Sequence, residues 1–454
     1  MSFISVNPFS GEVVERYEAD DAVAVERKLE KLENGFRARR RASVKSKAHA
    51  LRRMADLLER DVDRFSLTVT RETGKLLAES RAEIHKCADL CRYYADHAEE
   101  LLEDRVITSH GMRARAALRP VGAILAVMPW NFPFWQVFRC LAPAVLLGNV
   151  VALKHAPNVQ GCAAEIEGLA DEASPEGCVL QNFRISPEET HRLIADSRIA
   201  AVTLTGSERA GRAVAKTAGE HLKKTVLELG GSDAYVVLED ADVALAASSC
   251  VQSRMLNAGQ SCVAAKRFIA HEAVYDAFVG AVLEKMRAYR VADPQNAGTT
   301  LAPLVSATAA KRLHKIVTES LADGARLLLG GDYAEDGAAY PATVLACDDS
   351  IPACCAEETF GPVASILKAK DEGNAVRLAN ASRFGLGGAV FSRDLDRARR
   401  FAADLYEAGG CAINDFFRSD AAFPFGGIKS SGYGRELACE GVREFANVKT
   451  ILGA

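Results

Sequence analysis

The sequence predicts an α/β protein built on parallel sheets with helices on both faces. Three observations predict it. Short apolar runs bounded by Gly or Pro recur from Ala116 onward. Segments with the three-and-four spacing of buried helix faces lie between them. The runs are apolar throughout instead of alternating with polar residues, which is the pattern of strands covered on both sides.

Residues 22–104 come first and read as helical. Leu29, Leu32 and Phe36 recur at helical spacing, as do Leu51, Met54, Leu57 and Leu58. The basic run Arg37, Arg39, Arg40 and Arg41 reads as a solvated face or turn. From Ala116 the run AALRPVGAILAVMPWNFP is strand-like, and a helical stretch follows from Phe134 to about Leu147. Next come the strand VVALKH, the strand IAAVTLTG ending at Gly206, a helix, and then TVLELGG and AYVVL. The second half repeats the alternation with RFIA, ARLLLGG, VASILKA and GGAVF as strands. There is no internal repeat and no low-complexity linker. At ~100–200 residues per domain, 454 residues make two or three domains of one unit.

Composition excludes several classes of function. A net charge of −4 gives no electrostatic reason to bind nucleic acid or an anionic membrane. The longest apolar stretch, Leu141–Leu153, is broken by Pro143, Gly148 and Asn149 and is too short to span a bilayer. The opening MSFISVNPFSGEVV has no basic region before an apolar core, so no secretory signal is expected. Twelve scattered cysteines in a chain of this size are then expected to be reduced thiols of a cytoplasmic protein. None has zinc-ligand spacing, so no metal is expected. Adjacent Cys354 and Cys355 rarely pair comfortably and read as ordinary buried thiols, with a redox-sensing role as the alternative.

Six segments carry chemistry. In NAGQSC, Cys262 follows a tight Gly-Gln-Ser turn that can present a thiol to a cleft. In LELGG, Glu228 ends an apolar strand. It is either a satisfied structural carboxylate or a general base whose burial tunes it. In PWNFPFWQ, Asn131 sits on a stiff turn. It is either a turn residue or a side-chain amide aimed at an oxyanion. TGSERAG joins a strand to a helix, so Gly206 permits close approach and the helix N-terminus suits a pyrophosphate. It lacks the G-x-G-x-x-G fingerprint. EETFGPV and the glycine-rich PFGGIKSSGYGRE complete the set.

These six segments, in this order, resemble the aldehyde dehydrogenase superfamily. NPFSGEVV and EFANVKTIL are similar to its opening and closing segments, so the resemblance covers essentially the whole chain. The 34-residue interval from Glu228 to Cys262 also matches the family spacing. The resemblance implies that Cys262 is the nucleophile, Glu228 the general base, and Asn131 the oxyanion donor together with the Cys262 backbone N–H. It assigns Trp130, Lys154, Gly206, Ser207, Glu358 and Phe360 to the cofactor, which is NAD or NADP. A glutamate three residues after the lysine binds the ribose in many NAD-preferring members. Pro157 stands there instead, so both cofactors are expected to be usable, with His155 a further candidate contact.

KHAPN and the length resemble the compact bacterial succinate-semialdehyde dehydrogenases. In that reading Arg139, eight residues after Asn131, binds the substrate carboxylate, with Arg418 and Ser419 as secondary contacts. Some semialdehyde enzymes carry a further arginine where this chain has Leu256. A broad-specificity or other semialdehyde dehydrogenase is the alternative. A CoA-acylating enzyme would share the nucleophile but not need Glu228. By resemblance, residues 1–104 and 120–229 form the cofactor domain and 230–427 the catalytic domain. Residues 105–119 and 436–454 are expected to form an oligomerisation hairpin, giving a homodimer or homotetramer.

Overall fold

The apolar runs form two sheets whose opposite ends meet at one level of the molecule. The computed structural model describes residues 2–334, 337–348 and 352–453. The first sheet has six strands. Their spatial order is Gly432–Tyr433, Lys224–Glu228, Ile199–Thr205, Ala123–Val127, Val150–Lys154 and Leu180–Asn182. All pairings are parallel except that of Gly432–Tyr433 with Lys224–Glu228. The order reverses between Ala123–Val127 and Ile199–Thr205. Open α/β sheets bind ligands beyond the carboxyl ends of their strands at such a point. Asn131, Lys154, Gly206 and Glu228 all lie at or just beyond those ends.

The second sheet has seven strands. Their order is Arg326–Leu329, Thr343–Cys347, Val363–Ala369, Ala265–His271, Asp233–Val237, Gly388–Phe391 and Ala412–Ile413. Only the Arg326–Leu329 edge is antiparallel, so the ARLLLGG run closes a parallel sheet without extending its direction. Four residues, Leu229–Ser232, carry the chain from the carboxyl end of one sheet to the amino end of the other. Cys262, Glu358 and Phe360 precede strands of the second sheet. They therefore arrive at the level where Glu228 and Asn131 leave the first.

Helices Ala22–Arg39, Val44–Arg60, Val62–Thr73 and Leu77–Asp96 account for the amino-terminal periodicity. Arg39, expected on a solvated face, is buried. Helix Trp135–Leu147 is buried on every side, which explains its lack of a polar stripe. Glu83 closes its first turn, accepting from the amides of Phe134 (2.9 Å) and Trp135 (3.0 Å). An anion there also complements the helix dipole.

Two segments differ from the sequence reading. Ser2–Val6 pairs with Val13–Glu18 as an amino-terminal hairpin, with alternate residues Phe3 and Ser5 turned inward. The 436–454 segment is not all strand. Ala438–Glu444 is helical, and only Ala446–Leu452 joins Met112–Pro120 and Arg105–Ser109 in a three-stranded sheet. Val106, Ile107, Met112, Val448 and Leu452 are exposed on that sheet. Among the described residues, no helix is long and apolar enough to cross a membrane.

Candidate active site

The Cys262 segment is held through its backbone. After helix Val243–Met255, Asn257 (φ 52°), Ala258 (φ 51°) and Gly259 (φ 74°) run consecutively through left-handed conformations. Such geometry is unfavourable for Asn and Ala and must be imposed by the surroundings. A Cβ at position 259 would lie 2.2 Å from the Gly361 carbonyl oxygen, so only glycine fits. Two buried cations supply the clamp. Arg254 donates to the Gly259 carbonyl (2.5 Å) and the Thr359 carbonyl (3.2 Å). Lys266 donates to the carbonyls of Ser261 (2.9 Å) and Cys262 (2.6 Å). The half-buried Cys262 side chain is left free of hydrogen bonds among the described residues. Burial and the Glu228 charge push its thiol well above the ordinary range, while Arg139 and Lys266 pull it down.

Glu228 is held through its side chain. Glu228 is the last residue of its strand and 1% exposed. Its Oε2 accepts from Arg139 at 2.5 Å. Its Oε1 is buried and has no hydrogen-bond partner among the described residues. That oxygen is the one free to take a proton. The backbone around it is pinned by the glycine-rich C-terminal loop. Leu229 N–H donates to Ser431 O (3.0 Å), and Gly432 packs where a Cβ would meet the Leu227 carbonyl oxygen at 2.0 Å.

Asn131 links the two halves. Its side-chain amide donates to the Gln260 carbonyl (3.0 Å), and Asn257 donates back to the Asn131 carbonyl (2.8 Å). The PWNFP turn is thereby tied to the nucleophile segment. His155 supports the turn from behind, with Nε2 2.9 Å from the Pro133 carbonyl oxygen and Nδ1 accepting from Ala156 N–H at 2.9 Å. Burial depresses its pKa to about 4. His155 is therefore a neutral group that supports the PWNFP turn.

On the cofactor side, Phe360 meets Trp130 edge-to-face at 5.8 Å between ring centroids. Glu358 Oε1 accepts from Gly231 N–H (3.1 Å) and lies 3.8 Å from Lys266. Lys154 ends its strand with its ammonium unpaired among the described residues, and burial lowers its pKa. Ser207 caps helix Glu208–Glu220 by accepting from Ala210 N–H (3.3 Å). Gly206 does not offer a free amide, because its N–H donates to the Glu228 carbonyl (2.9 Å). Its contribution is close approach, not donation.

The three residues expected at the substrate differ in their surroundings. Arg139 is fully buried. It contacts Glu228 (2.5 Å), Glu436 (2.8 Å) and Gln136, and lies over the Phe425 ring at 4.9 Å. These polar contacts all run through Nη2, and Nε is buried without a hydrogen-bond partner among the described residues. Arg418 is exposed and paired with Asp415 at 2.9 Å. Ser419 does face inward, and accepts from Trp135 Nε1 (3.1 Å) and Lys86 Nζ (3.1 Å). The sequence reading missed Glu436, Arg254, Lys266 and Lys86. Glu436 had a signal, since it closes the glycine-rich segment PFGGIKSSGYGRE. Burial raises its carboxyl to about 7, with Arg139 opposing and Glu228 adding.

A free thiol at a chain crossover, a buried carboxylate and a tethered amide define an enzyme of covalent thiol catalysis on a dinucleotide-binding scaffold. The sequence matches the aldehyde dehydrogenase family over residues 1–451, and the chain belongs to that family. It is 43% identical over 450 residues to a succinate semialdehyde dehydrogenase [NAD(P)+] of Escherichia coli K12, covering 99% of this chain and 97% of that one. It is 42% identical over 456 residues to succinate-semialdehyde dehydrogenase [NADP(+)] 1 of Mycobacterium tuberculosis H37Rv, covering 99% of each. The succinic semialdehyde dehydrogenase of Streptococcus pyogenes, solved with NADP+, superposes with a TM-score of 0.96 at 36% identity, covering 99% of both chains.

Proposed function

We propose that this chain oxidises succinate semialdehyde to succinate with NADP or NAD as hydride acceptor. The observation that carries the reading is the meeting of Cys262, Glu228 and Asn131 at the junction of the two sheets. The two curated relatives and the Streptococcus pyogenes enzyme support the substrate and the cofactor. The residues present fit a dinucleotide. Lys154 is the last residue of a strand of the first sheet and has no partner among the described residues, and Pro157 stands where a carboxylate would repel a 2′-phosphate. Lys154, Ser207, Glu358, Phe360 and Trp130 would hold it.

The thiolate of Cys262 adds to the aldehyde carbon and forms a thiohemiacetal oxyanion. The Asn131 amide and the Cys262 N–H stabilise that charge. Collapse of the oxyanion breaks the C–H bond and releases hydride, for which a bound nicotinamide would supply the acceptor, and leaves a thioester on Cys262. Glu228 then takes a proton from water through Oε1 as the water attacks the thioester. Arg139 offsets the burial of the Glu228 charge and holds the carboxylate in line. Residues 1–104 and 120–229 serve the cofactor and residues 230–427 the chemistry. The exposed apolar face of the three-stranded sheet fits a second copy of the chain.

The test is a panel of aldehydes assayed with each cofactor, with products identified in the presence and absence of CoA. Succinate formed from succinate semialdehyde at the highest kcat/KM is the expected result. Equal rates across uncharged aldehydes would replace the reading with a broad-specificity enzyme. A CoA thioester product would replace it with an acylating one.

A further inference from the structure

We propose that Cys347, Cys354 and Cys355 form a binding site for one thiophilic divalent cation of the zinc class, separate from the Cys262 site. The bound ion ties the end of strand Thr343–Cys347 to the segment that carries Glu358 and Phe360. The site stands whatever aldehyde the enzyme oxidises.

The three sulfurs converge. In the chain they follow the pattern Cys-x6-Cys-Cys, which carries no zinc signature. In the fold Cys347 closes its strand, and Cys354 and Cys355 lie on the short helix Ala353–Ala356. The Sγ atoms of Cys347 and Cys354 are 3.5 Å apart, and those of Cys354 and Cys355 are 4.0 Å apart. All three lie within 4.8 Å of one another. Sulfurs bound tetrahedrally to zinc at ~2.3 Å stand about 3.8 Å from each other. Two edges of the cluster bracket that value, so three corners of such a site are already in place. Soft thiolates select ions of this class.

Packing alone accounts for buried thiols, because free Cys behaves as a small hydrophobe. Two neighbours go beyond packing. Ser365 is buried, its hydroxyl has no hydrogen-bond partner among the described residues, and it adjoins the Cys354 sulfur. A neutral thiol is a weak acceptor. A metal-bound thiolate accepts well, and donors of this kind hold metal ligands in orientation. Arg267 supplies the charge. It donates to the carbonyls of Ser232 (2.8 Å), Leu378 (2.6 Å) and Ala379 (2.9 Å) and forms no ion pair among the described residues. Its charge acts on Cys355. Three thiols that bind one divalent cation release three protons and leave a single negative charge, which Arg267 offsets.

The backbone holds the cluster in position. Cys354 N–H donates to Ser320 Oγ (2.8 Å), and Cys355 N–H donates to the Pro352 carbonyl (2.7 Å). Ser232 Oγ donates to the Cys355 carbonyl (3.2 Å). Ser232 belongs to the crossover between the two sheets, and Cys355 stands three residues before Glu358. An ion at the cluster braces the cofactor-side segment from outside the reaction centre.

The experiment titrates Cd²⁺, a spectroscopic stand-in for Zn²⁺, into the full-length Cys262→Ala protein with its thiols kept reduced by a phosphine. Replacing Cys262 removes the other candidate thiolate. The expected result is one tightly bound equivalent with sulfur-to-metal charge-transfer absorption, displaced by Zn²⁺. Adding Cys347→Ala or Cys354→Ala should abolish that equivalent, and adding Cys439→Ala, at a half-buried thiol elsewhere, should leave it. Ser365→Ala should weaken binding by about 10–100-fold. No charge-transfer band, or the same band after Cys347→Ala and Cys354→Ala, overturns the proposal. Should the cysteine variants fold poorly, X-ray absorption by the zinc-loaded Cys262→Ala protein decides. Three sulfur neighbours at ~2.3 Å support the site, and fewer than three overturn it.

Discussion

Cys262 and Glu228, the proposed nucleophile and the proposed base, are secured in opposite ways. Around Cys262, buried Arg254 and Lys266 grip the backbone carbonyls of the segment, and the thiol has no hydrogen bond among the described residues. Around Glu228, Arg139 grips the reacting carboxylate directly. The difference teaches what each group must do. A nucleophile needs a fixed position and a free atom, so its strained backbone is clamped and its side chain spared. A base needs a buried charge that is still stable, so its side chain is paired and one oxygen, Oε1, is left open.

The largest expected effect breaks the nucleophile side alone. Cys262→Ala removes the atom that the clamp exists to place, while leaving Arg254 and Lys266 in contact with their carbonyls. Cofactor reduction in the presence of aldehyde should vanish with no loss of thermal stability. Residual turnover with aldehyde would mean that the clamp serves a different atom.

Breaking the base side should give a different signature. In Glu228→Gln, steady-state oxidation should fall by ~10²–10⁴, while a first burst of reduced cofactor persists. The comparison also predicts a gain. Glu228 is one of the groups that push the Cys262 thiol up, so its removal should lower that pKa. More thiolate then exists at a given pH, and iodoacetamide should label Cys262 faster in the variant than in the wild type at pH 8. Slower labelling would show that Glu228 activates the thiol instead of opposing it.

Arg139→Met sharpens the contrast further. It leaves Glu228 and Glu436 buried without their cation, a change that typically costs about 3–5 kcal/mol. Urea denaturation should report that loss. The kinetic defect should fall on deacylation and affect charged and uncharged aldehydes alike. A KM increase confined to succinate semialdehyde would return Arg139 to the substrate-binding role suggested by its position in the chain.

The two sides were not equally legible in the sequence. Cys262, Glu228 and Asn131 each lie in a short motif beside a strand end, and local order in the chain carries that information. The parallel sheets were legible for the same reason, because uniform burial imprints uniform apolarity on the runs. Arg139 shows the limit. Its place after Asn131 is local, but its partner Glu436 comes from the far end of the chain, brought near by the pairing of Gly432–Tyr433 with Lys224–Glu228. Lys86, Arg254 and Lys266 have no motif at all. Each is one cation on a helix or strand, and only tertiary packing distinguishes it from a solvated lysine or arginine.

The smallest predicted effect tests the support behind Asn131. His155 is buried and neutral, with its pKa lowered from 6.5 to about 4 by burial. In the unfolded chain it takes up a proton as pH falls below 6.5, but in the folded chain it does not. The unfolded state therefore binds more protons between pH 6.5 and about 4, and stability must decline as pH falls through that window. The full contribution is present above 6.5. Its loss amounts to roughly 3 kcal/mol at 1.36 kcal/mol per pH unit. His155→Gln keeps a donor for the Pro133 carbonyl but cannot titrate, so its Tm should depend less steeply on pH across the window. Identical slopes in the two proteins would show that other groups, and not His155 behind the PWNFP turn, set the acid limit of this fold.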